Sequence, residues 1–280
     1  MSYDAVVIGG GINGLVAASV LARGGQRVCL LEQSSQLGGM AAAGPEGGSR
    51  MAHAVWNLSP VVRREIGMDR HKWPFRLTPL RTVAFAPDGN HVILDGSTPR
   101  FADGSTHPDA DAYRGLMTQL ADYGALLCQL AEGPPPGYEA PIASTSTIRE
   151  IWRLARFGIG LKRMDKRAFR RFLQVLLSNA YDLILDDLND VPLAGLLAAD
   201  AVRGAAMGPR SPGTVFSLIY RMGHGGVASV PEGGMHAVVN AFEAAALKAR
   251  VDIRRDTGAS RILRESDQIV GVETDQGEIV

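Results

Sequence analysis

Residues Ala5 to Ala22 read AVVIGGGINGLVAASVLA, eighteen positions without a charge. Three structures compete for them: a membrane anchor, a signal peptide, or a strand followed by a phosphate-binding turn and a helix. A secretory signal carries a basic segment ahead of its apolar run, but the charge that precedes this one is Asp4. A spanning helix needs about 20 apolar residues, and three consecutive glycines plus Asn13 interrupt it. Read in pieces, Ala5 to Ile8 is a short apolar run suited to a parallel strand buried on both faces. Gly9-x-Gly11-x-x-Gly14 follows, then small and apolar residues (Leu15, Val16, Ala17, Ala18, Ser19, Ala22) that pack a helix closely on a sheet, ending at Gly24-Gly25. A second strand, Arg27 to Leu31, finishes on Glu32.

The residue types have a physical reason. The first glycine permits the tight turn, the second lets backbone approach a pyrophosphate, and the third lets helix and strand touch, while the helix start supplies the positive end of its dipole. Glu32 lies eighteen positions after Gly14, where an acid accepts both ribose hydroxyls of an ADP group and disfavours a 2′-phosphate. Strand, turn, helix, strand and acid in that order predict a dinucleotide fold; the plainer reading is a glycine-rich turn that binds nothing.

Composition limits the rest. A chain of 280 residues has room for two domains or one large one. Basic and acidic residues balance at 29 each, so bulk charge gives no reason to expect nucleic acid as a partner. Cys29 and Cys128 lie far apart, outside any metal or redox spacing. That argues against a zinc site, a redox dithiol or a disulfide framework, and suits a reducing, cytoplasmic compartment.

Just beyond Glu32 comes QSSQLGGMAAAG, with the Gly38-Gly39 pair. Here the sequence resembles flavoproteins of the phytoene desaturase and amine oxidase type, most closely the phytoene dehydrogenase-like branch. In that family the strand-end acid is followed by a Gly-Gly doublet lying along the FAD pyrophosphate. The likeness is carried by YDAVVIGGGINGLVAASVLARGGQRVCLLEQSSQLGG at the start and VPEGGMHAVVNAFEAAALKARVDIRRDTGASRIL near the end; LTPLRTVAFAPDG and HPDADAYRGL support it. It implies an α/β architecture: a Rossmann-like FAD/NAD(P)-binding domain of the GR2-type flavoprotein fold with an inserted α+β substrate domain. The divisions expected are 1–66, first part of the FAD-binding domain, 67–225, an incomplete substrate domain, and 226–280, second part of the FAD-binding domain. The cofactor residues implied are Gly9, Gly10, Gly11, Asn13, Gly14, Glu32, Gln33, Gly38, Gly39, Met40 and Ala259, the last at the strand whose backbone holds adenine. The sequence departs from the pattern at Met40, where amine-oxidase relatives often carry arginine, and at Arg250, where a glycine commonly precedes the strand.

In the middle segment, Arg76 to Leu94 reads as short strands with turn chemistry at Pro87 to Gly89. A helix follows with Tyr113, Leu116, Met117, Leu120, Leu127 and Leu130 on one face and Asp109 and Asp111 at its positive end. EGPPPGYEAP breaks regular structure, and Thr147-x-x-Glu150 reads as a capping box. From Arg149 to Arg171 nine basic residues stand against Glu150 and Asp165, interleaved with Trp152, Leu154, Phe157, Ile159, Leu161, Phe169 and Phe172. A basic face with aromatics on the other side suits a helix lying on an anionic membrane; the plainer reading is a solvated face paired with the acidic YDLILDDLND at Tyr181 to Asp190.

Pro231-Glu232-Gly233-Gly234-Met235 then opens a helix striped by Val238, Val239, Phe242, Ala245 and Ala249. Strands at Val251 to Ile253 and Gly258 to Leu263 follow, then a hairpin from Ile269 to Thr274 across Asp275-Gln276-Gly277 to Glu278-Ile279-Val280. Relatives continue into a late glycine-rich segment against the flavin, so the sequence is expected to be a fragment of a longer protein, the alternative being a natural truncation whose flavin site is incomplete.

The resemblance implies FAD-dependent oxidation of a C–H next to C–C or C–N in an apolar or amine substrate, with an electron acceptor it does not identify. No catalytic residue is assigned: His53, His224 and His236 come from segments that relatives place near the flavin, and a lone histidine is more often a structural hydrogen-bonding group. No cluster has metal-ligand spacing. Two rivals stay open, a non-enzymatic partner-binding scaffold like the GDP dissociation inhibitors, which share this fold, and an NAD(P)-only dehydrogenase.

Overall fold

The computed structural model describes residues 2–42, 52–68, 73–96, 98–131, 133 and 145–280. The chain divides into two compact units, one formed by 1–78 with 228–280 and the other by 79–227.

The first unit is built on a parallel sheet of β1 (Ala5–Ile8), β2 (Val28–Leu31) and β8 (Asp252–Arg254), with β2 in the centre. Ala5 to Ile8 pair in register with Val28 to Leu31, and Cys29 to Leu31 with Asp252 to Arg254. Side chains alternate across a strand. On one face Leu30 meets Leu15 and Ala18 of α1 (Ile12–Arg23) and Val238, Val239 and Phe242 of α9 (Gly234–Lys248). On the other, Cys29 and Leu31 meet Val272 of the antiparallel pair β9 (Ala259–Glu265) and β10 (Gln268–Thr274). The central strand is buried throughout, whereas β1 is half-exposed and Ile8 is open to solvent. The expectation of a first strand buried on both faces is met in part: Val7 packs on the helix side and Val6 on the side of β9 and β10, but the strand is half-buried and Ile8 is exposed.

Boundaries otherwise shift by a residue. Arg27 precedes β2 because the Asp4 carboxylate accepts from its backbone N–H at 2.8 Å and from its guanidinium at 2.9 Å. The same unit holds α2 (Pro60–Glu65), whose Ser59 cap accepts from Val61 N–H at 3.2 Å, and β3 (Leu77–Pro79), paired with β7 (Ser229–Pro231). Trp73 stacks on Phe75 and lies 6.0 Å from the Phe242 ring. Residues 67–68 and 73–78 thus pack with the first unit, and the outgoing boundary falls at 78/79, not at the expected 66/67.

The second unit combines an antiparallel sheet, β4 (Thr82–Ala84), β5 (Val92–Asp95) and β6 (Thr98–Phe101), with helices α3 (Ala110–Ala131), α4 (Thr145–Arg163), α5 (Lys166–Leu177), α6 (Ala180–Asp187), α7 (Val191–Ala201) and α8 (Val215–Gly223). Its core gathers Tyr113, Leu116 and Leu120 of α3, Phe172 and Val175 of α5, and Leu183, Leu193, Val215 and Ile219. Leu127 and Leu130 are only half-buried, and Leu126 and Tyr123 complete the inner face instead.

Asp109 does not serve its own helix as expected. Its buried carboxylate accepts from the backbone N–H groups of Asn189 at 2.9 Å and Asp190 at 2.8 Å, tying the entry of α3 to the entry of α7. Two further expectations change. Helix α4 begins at Thr145, so Thr147 lies inside its first turn and is no cap; most of EGPPPGYEAP falls outside the described residues. The basic stretch is two helices broken at Met164-Asp165, with the Asp165 carboxylate accepting from Ala168 N–H at 2.7 Å to start α5. Its aromatics divide: Phe157 and Phe172 turn into the core, while Trp152 stays outside with the basic residues.

Candidate cofactor site

The turn between β1 and α1 carries the chemistry. Gly9 has φ +100°, a conformation open to glycine, and donates its N–H to Leu31 O at 2.8 Å. A Cβ on Gly14 would stand 1.9 Å from Gly9 O, so only glycine lets α1 start this close to the strand. A Cβ on Gly11 would meet nothing within 4 Å: the space beyond it is open. Gly11 is the N-cap, has ordinary extended geometry (φ −67°, ψ 172°) and supplies no side-chain cap. The first intrahelical bond is Leu15 N–H to Gly11 O at 2.9 Å, which leaves the preceding N–H groups of the first turn without helical acceptors. Asn13 is exposed on that turn.

The second glycine pair closes on the first. Gly38 N–H donates to Gly10 O at 2.8 Å, and Gly11 and Gly38 form a parallel bridge. Both Gly38 (φ +111°) and Gly39 (φ +56°) are left-handed; a Cβ on Gly39 would lie 3.4 Å from Gly11 Cα. A short 3-10 turn, Gly39–Ala41, follows, with the Met40 side chain exposed. The second glycine segment thus lies against the first beside the start of α1, whose N–H groups without helical acceptors, together with the absence of side chains at Gly11 and Gly39, suit the approach of a pyrophosphate.

Glu32 stands at the other end, 8% exposed. Its carboxylate accepts from Gly10 N–H at 2.7 Å and from Ser34 N–H at 2.9 Å. Each oxygen keeps lone-pair capacity for a further donor, as a ribose diol requires. Gly10 faces this acid and not the open space: a Cβ there would meet Leu37 Cδ2 at 2.4 Å and Glu32 Oε2 at 3.1 Å. The backbone of 256–258 runs alongside, with Thr257 N–H on Glu32 O at 2.8 Å and Asp256 N–H on Ser34 O at 3.2 Å. Gly258 therefore abuts Gln33, and Ala259 opens β9 directly after it. Arg255, which the sequence did not single out, is ion-paired with Glu243 and reaches Ser35 O at 3.4 Å, fixing the loop that follows the acid.

The three histidines are not brought into one cluster with these groups by any contact in their units. His53 and His236 are exposed in the first unit, and His53 meets Trp56 edge-on at 5.6 Å. In the second unit His224 Nδ1 lies 2.9 Å from Tyr220 O and 3.6 Å from Cys128 Sγ, geometry in which a helix carbonyl takes the ring proton.

Residues 7–64 match the NAD(P)-binding Rossmann-like domain family. The chain is 24% identical over 307 residues to pyridine nucleotide-disulfide oxidoreductase domain-containing protein 2 of Rattus norvegicus, covering 99% of this chain and 52% of that protein. It is 26% identical over 298 residues to phytoene dehydrogenase of Streptomyces griseus, covering 98% and 52%. The chain thus spans about half the length of these relatives. Among solved structures, a putrescine oxidase variant superposes with a TM-score of 0.51 at 15% identity, over 98% of this chain and 55% of that one. A Rab GDI from Plasmodium falciparum does so with a TM-score of 0.51 at 11% identity, over 99% and 63%. At such identities the structures speak for the fold alone, which the glycine turn and parallel sheet already display. The chain carries an NAD(P)-binding Rossmann-like domain and is related, along nearly its whole length, to phytoene dehydrogenase-like oxidoreductases.

Proposed function

We propose that this chain binds FAD and forms the N-terminal part of an FAD-dependent oxidoreductase of the phytoene dehydrogenase-like type. The observation that carries the reading is the unobstructed direction beyond Gly11, where a Cβ would meet nothing within 4 Å, in a turn bridged to Gly38 and next to the backbone-anchored carboxylate of Glu32. A nicotinamide dinucleotide needs the first turn and the acid; the doublet packed against that turn lengthens the backbone cradle, which supports a flavin dinucleotide.

Bound FAD supplies hydride acceptance, so the protein has binding and orientation to provide. The N–H groups at the start of α1 neutralise pyrophosphate charge, and Gly11 and Gly39 give its oxygens backbone clearance. Glu32 accepts the ribose hydroxyls while Gly10 and Ser34 hold it in place. The backbone at Gly258-Ala259, beside Gln33, borders the adenine. The substrate class that goes with this reading is an apolar molecule or amine oxidised at a C–H next to C–C or C–N.

Two rival readings are tested against it: a protein-binding scaffold that holds no flavin, since the fold is shared with a Rab GDI as well as with an oxidase, and a nicotinamide dinucleotide enzyme, since the family description names NAD(P). The visible spectrum of the purified chain, before and after FAD addition and gel filtration, separates all three. A retained flavin band lost in Gly11→Val supports the flavoprotein. A colourless chain that binds NADH with fluorescence enhancement supports the nicotinamide reading; for one that binds neither, return of the flavin band in a chain extended past Val280 supports an incomplete flavin site, and its continued absence the scaffold.

A further inference from the structure

A helix packed on a globular core has one apolar face; α4 has two. Inward, Phe157 and Leu161 join the core of the second unit, and Gly160 sits under Leu126, where a Cβ would come within 2.6 Å of Leu126 Cδ1. Outward, Ile148, Trp152, Ala155 and Ile159 recur at helical spacing on the opposite side, with Ile151 beside them. Trp152 is 64% exposed, Ile151 53%, Ile148 49% and Ile159 47%. Arg156 and Arg163 flank this stripe on one side and Lys162 on the other. Helix α5 has exposed apolar residues of its own, Phe169, Leu173 and Leu177 at four-residue intervals, and its Lys166, Arg167, Arg170, Arg171 and Gln174 line a cationic cleft of about 580 Å³.

Compensation of these charges is partial: Arg171 lies 4.0 Å from Asp186 and 3.8 Å from Asp187 in the acidic segment 181–190. Among the described residues, Arg156, Lys162, Arg163, Lys166, Arg167 and Arg170 have no carboxylate within ion-pair distance. Of the two acids in the stretch, Asp165 is engaged in capping α5 and Glu150 stands on the inward side of α4.

We infer that the outward face of α4 docks in the plane of an anionic phospholipid bilayer, with Trp152, Ile148 and Ile159 at acyl-boundary depth and the cations among the headgroups. Charge complementarity selects this occupant. A second copy of the chain would bring like cations together across the stripe, whereas an anionic surface neutralises them while taking up the apolar side chains. No helix among the described residues is long and apolar enough to cross a membrane, which leaves in-plane docking as the geometry for this one. The inference goes beyond the flavin reading and does not depend on it.

The test is co-sedimentation of the whole chain with vesicles of phosphatidylcholine alone or with 30% phosphatidylglycerol, a composition of roughly physiological anionic charge. Three chains are compared: the unaltered protein, Trp152→Ser with Ile159→Ser, and Arg156→Gln with Lys162→Gln and Arg163→Gln. All five positions are exposed, and thermal melts followed by circular dichroism check that the variants fold. Binding to the anionic vesicles is expected, at least about tenfold weaker for either variant and for neutral vesicles. Quenching by brominated lipid gives a second readout on folded protein: it should fall in Trp152→Phe, although Trp56 and Trp73 remain. The inference is overturned by absent binding to anionic vesicles or by an apolar variant that binds as well as the unaltered chain. A stripe-dependent dimer in lipid-free sedimentation velocity overturns it as well.

Discussion

The carbonyl oxygen of Gly9 lies 1.9 Å from the point where a Cβ on Gly14 would stand, while a Cβ on Gly11 would meet nothing within 4 Å. Two glycines of one motif therefore have opposite reasons to be glycine, one internal to the fold and one facing the ligand. Gly14→Ala should cost about 1–3 kcal/mol, the range of forced overpacking, and lower the melting temperature by several degrees. Gly11→Ala should leave stability within about 0.5 kcal/mol yet weaken FAD binding at least about tenfold, because the methyl group enters the space reserved for the pyrophosphate. Melting curves and flavin titrations on both variants check the pair; equal loss of stability in both would contradict it.

Glu32 joins the two effects in one side chain. Its removal in Glu32→Ala strips the acceptor from the buried Gly10 N–H and from Ser34 N–H, a loss of about 1–3 kcal/mol, and also deletes the ribose acceptor. Glu32→Gln keeps one acceptor oxygen but turns its NH2 group towards the other backbone N–H, so it should lose part of the stability, less than alanine if the Gly10 bond is kept, together with affinity. A denaturant titration of the two variants, with adenosine diphosphate affinity measured alongside, separates anchoring from recognition. An alanine variant as stable as the parent would show that the backbone bonds contribute nothing net.

How much of this was legible in the sequence depends on how local the cause is. The strand, turn and helix from Ala5 to Arg23 follow from neighbours in the chain, and the structure puts them where the glycine spacing does. Asp109 is the counterexample. At a helix entry it reads as a partner for the helix dipole, yet it is used by Asn189 and Asp190, eighty residues away and more. The pattern of basic and aromatic residues from 149 to 171 announced amphipathicity, and helical spacing parts Phe157 from Trp152, but not which of the two sides turns to the core, which depends on where Leu126 of α3 lies. The exposure of β1 is invisible for the same reason: a strand's sequence states what it can bury, not which neighbours it has.

Cys29 gives the first unit a pH dependence at the alkaline end. Burial pushes its thiol up to about 11, with Asp252 and Glu278 adding to the rise and Arg254 opposing it. The native state thus holds a proton that the unfolded chain releases near its ordinary value of 9.0. Stability from this group is complete below pH 9 and is lost as pH rises towards 11, on the order of 2 kcal/mol in all. Urea denaturation between pH 8 and 10, below the range where the buried Tyr113 hydroxyl, raised to about 12, begins to contribute, should show the decline in the parent and a flatter profile in Cys29→Val. The same burial predicts that Cys29 reacts with thiol reagents only after unfolding.

Arg250 marks the end of α9 in a conformation that suits glycine. Its φ is +66°, left-handed, and its N–H donates to Leu247 O at 2.9 Å as the chain turns from the helix into β8. A side chain there carries about 1–2 kcal/mol of backbone strain, partly offset by the lower entropy that a non-glycine residue has in the unfolded chain. Arg250 is exposed, and no ion pair of its side chain occurs among the described residues, so Arg250→Gly removes strain without removing a contact. The expected outcome is a gain of about 0.5–1 kcal/mol with flavin affinity unchanged, since the turn lies at the opposite end of α9 from Gly234. Arg250→Ala, which keeps the Cβ, should show no such gain; if alanine stabilises as much as glycine, the relief comes from the lost charge and not from the backbone.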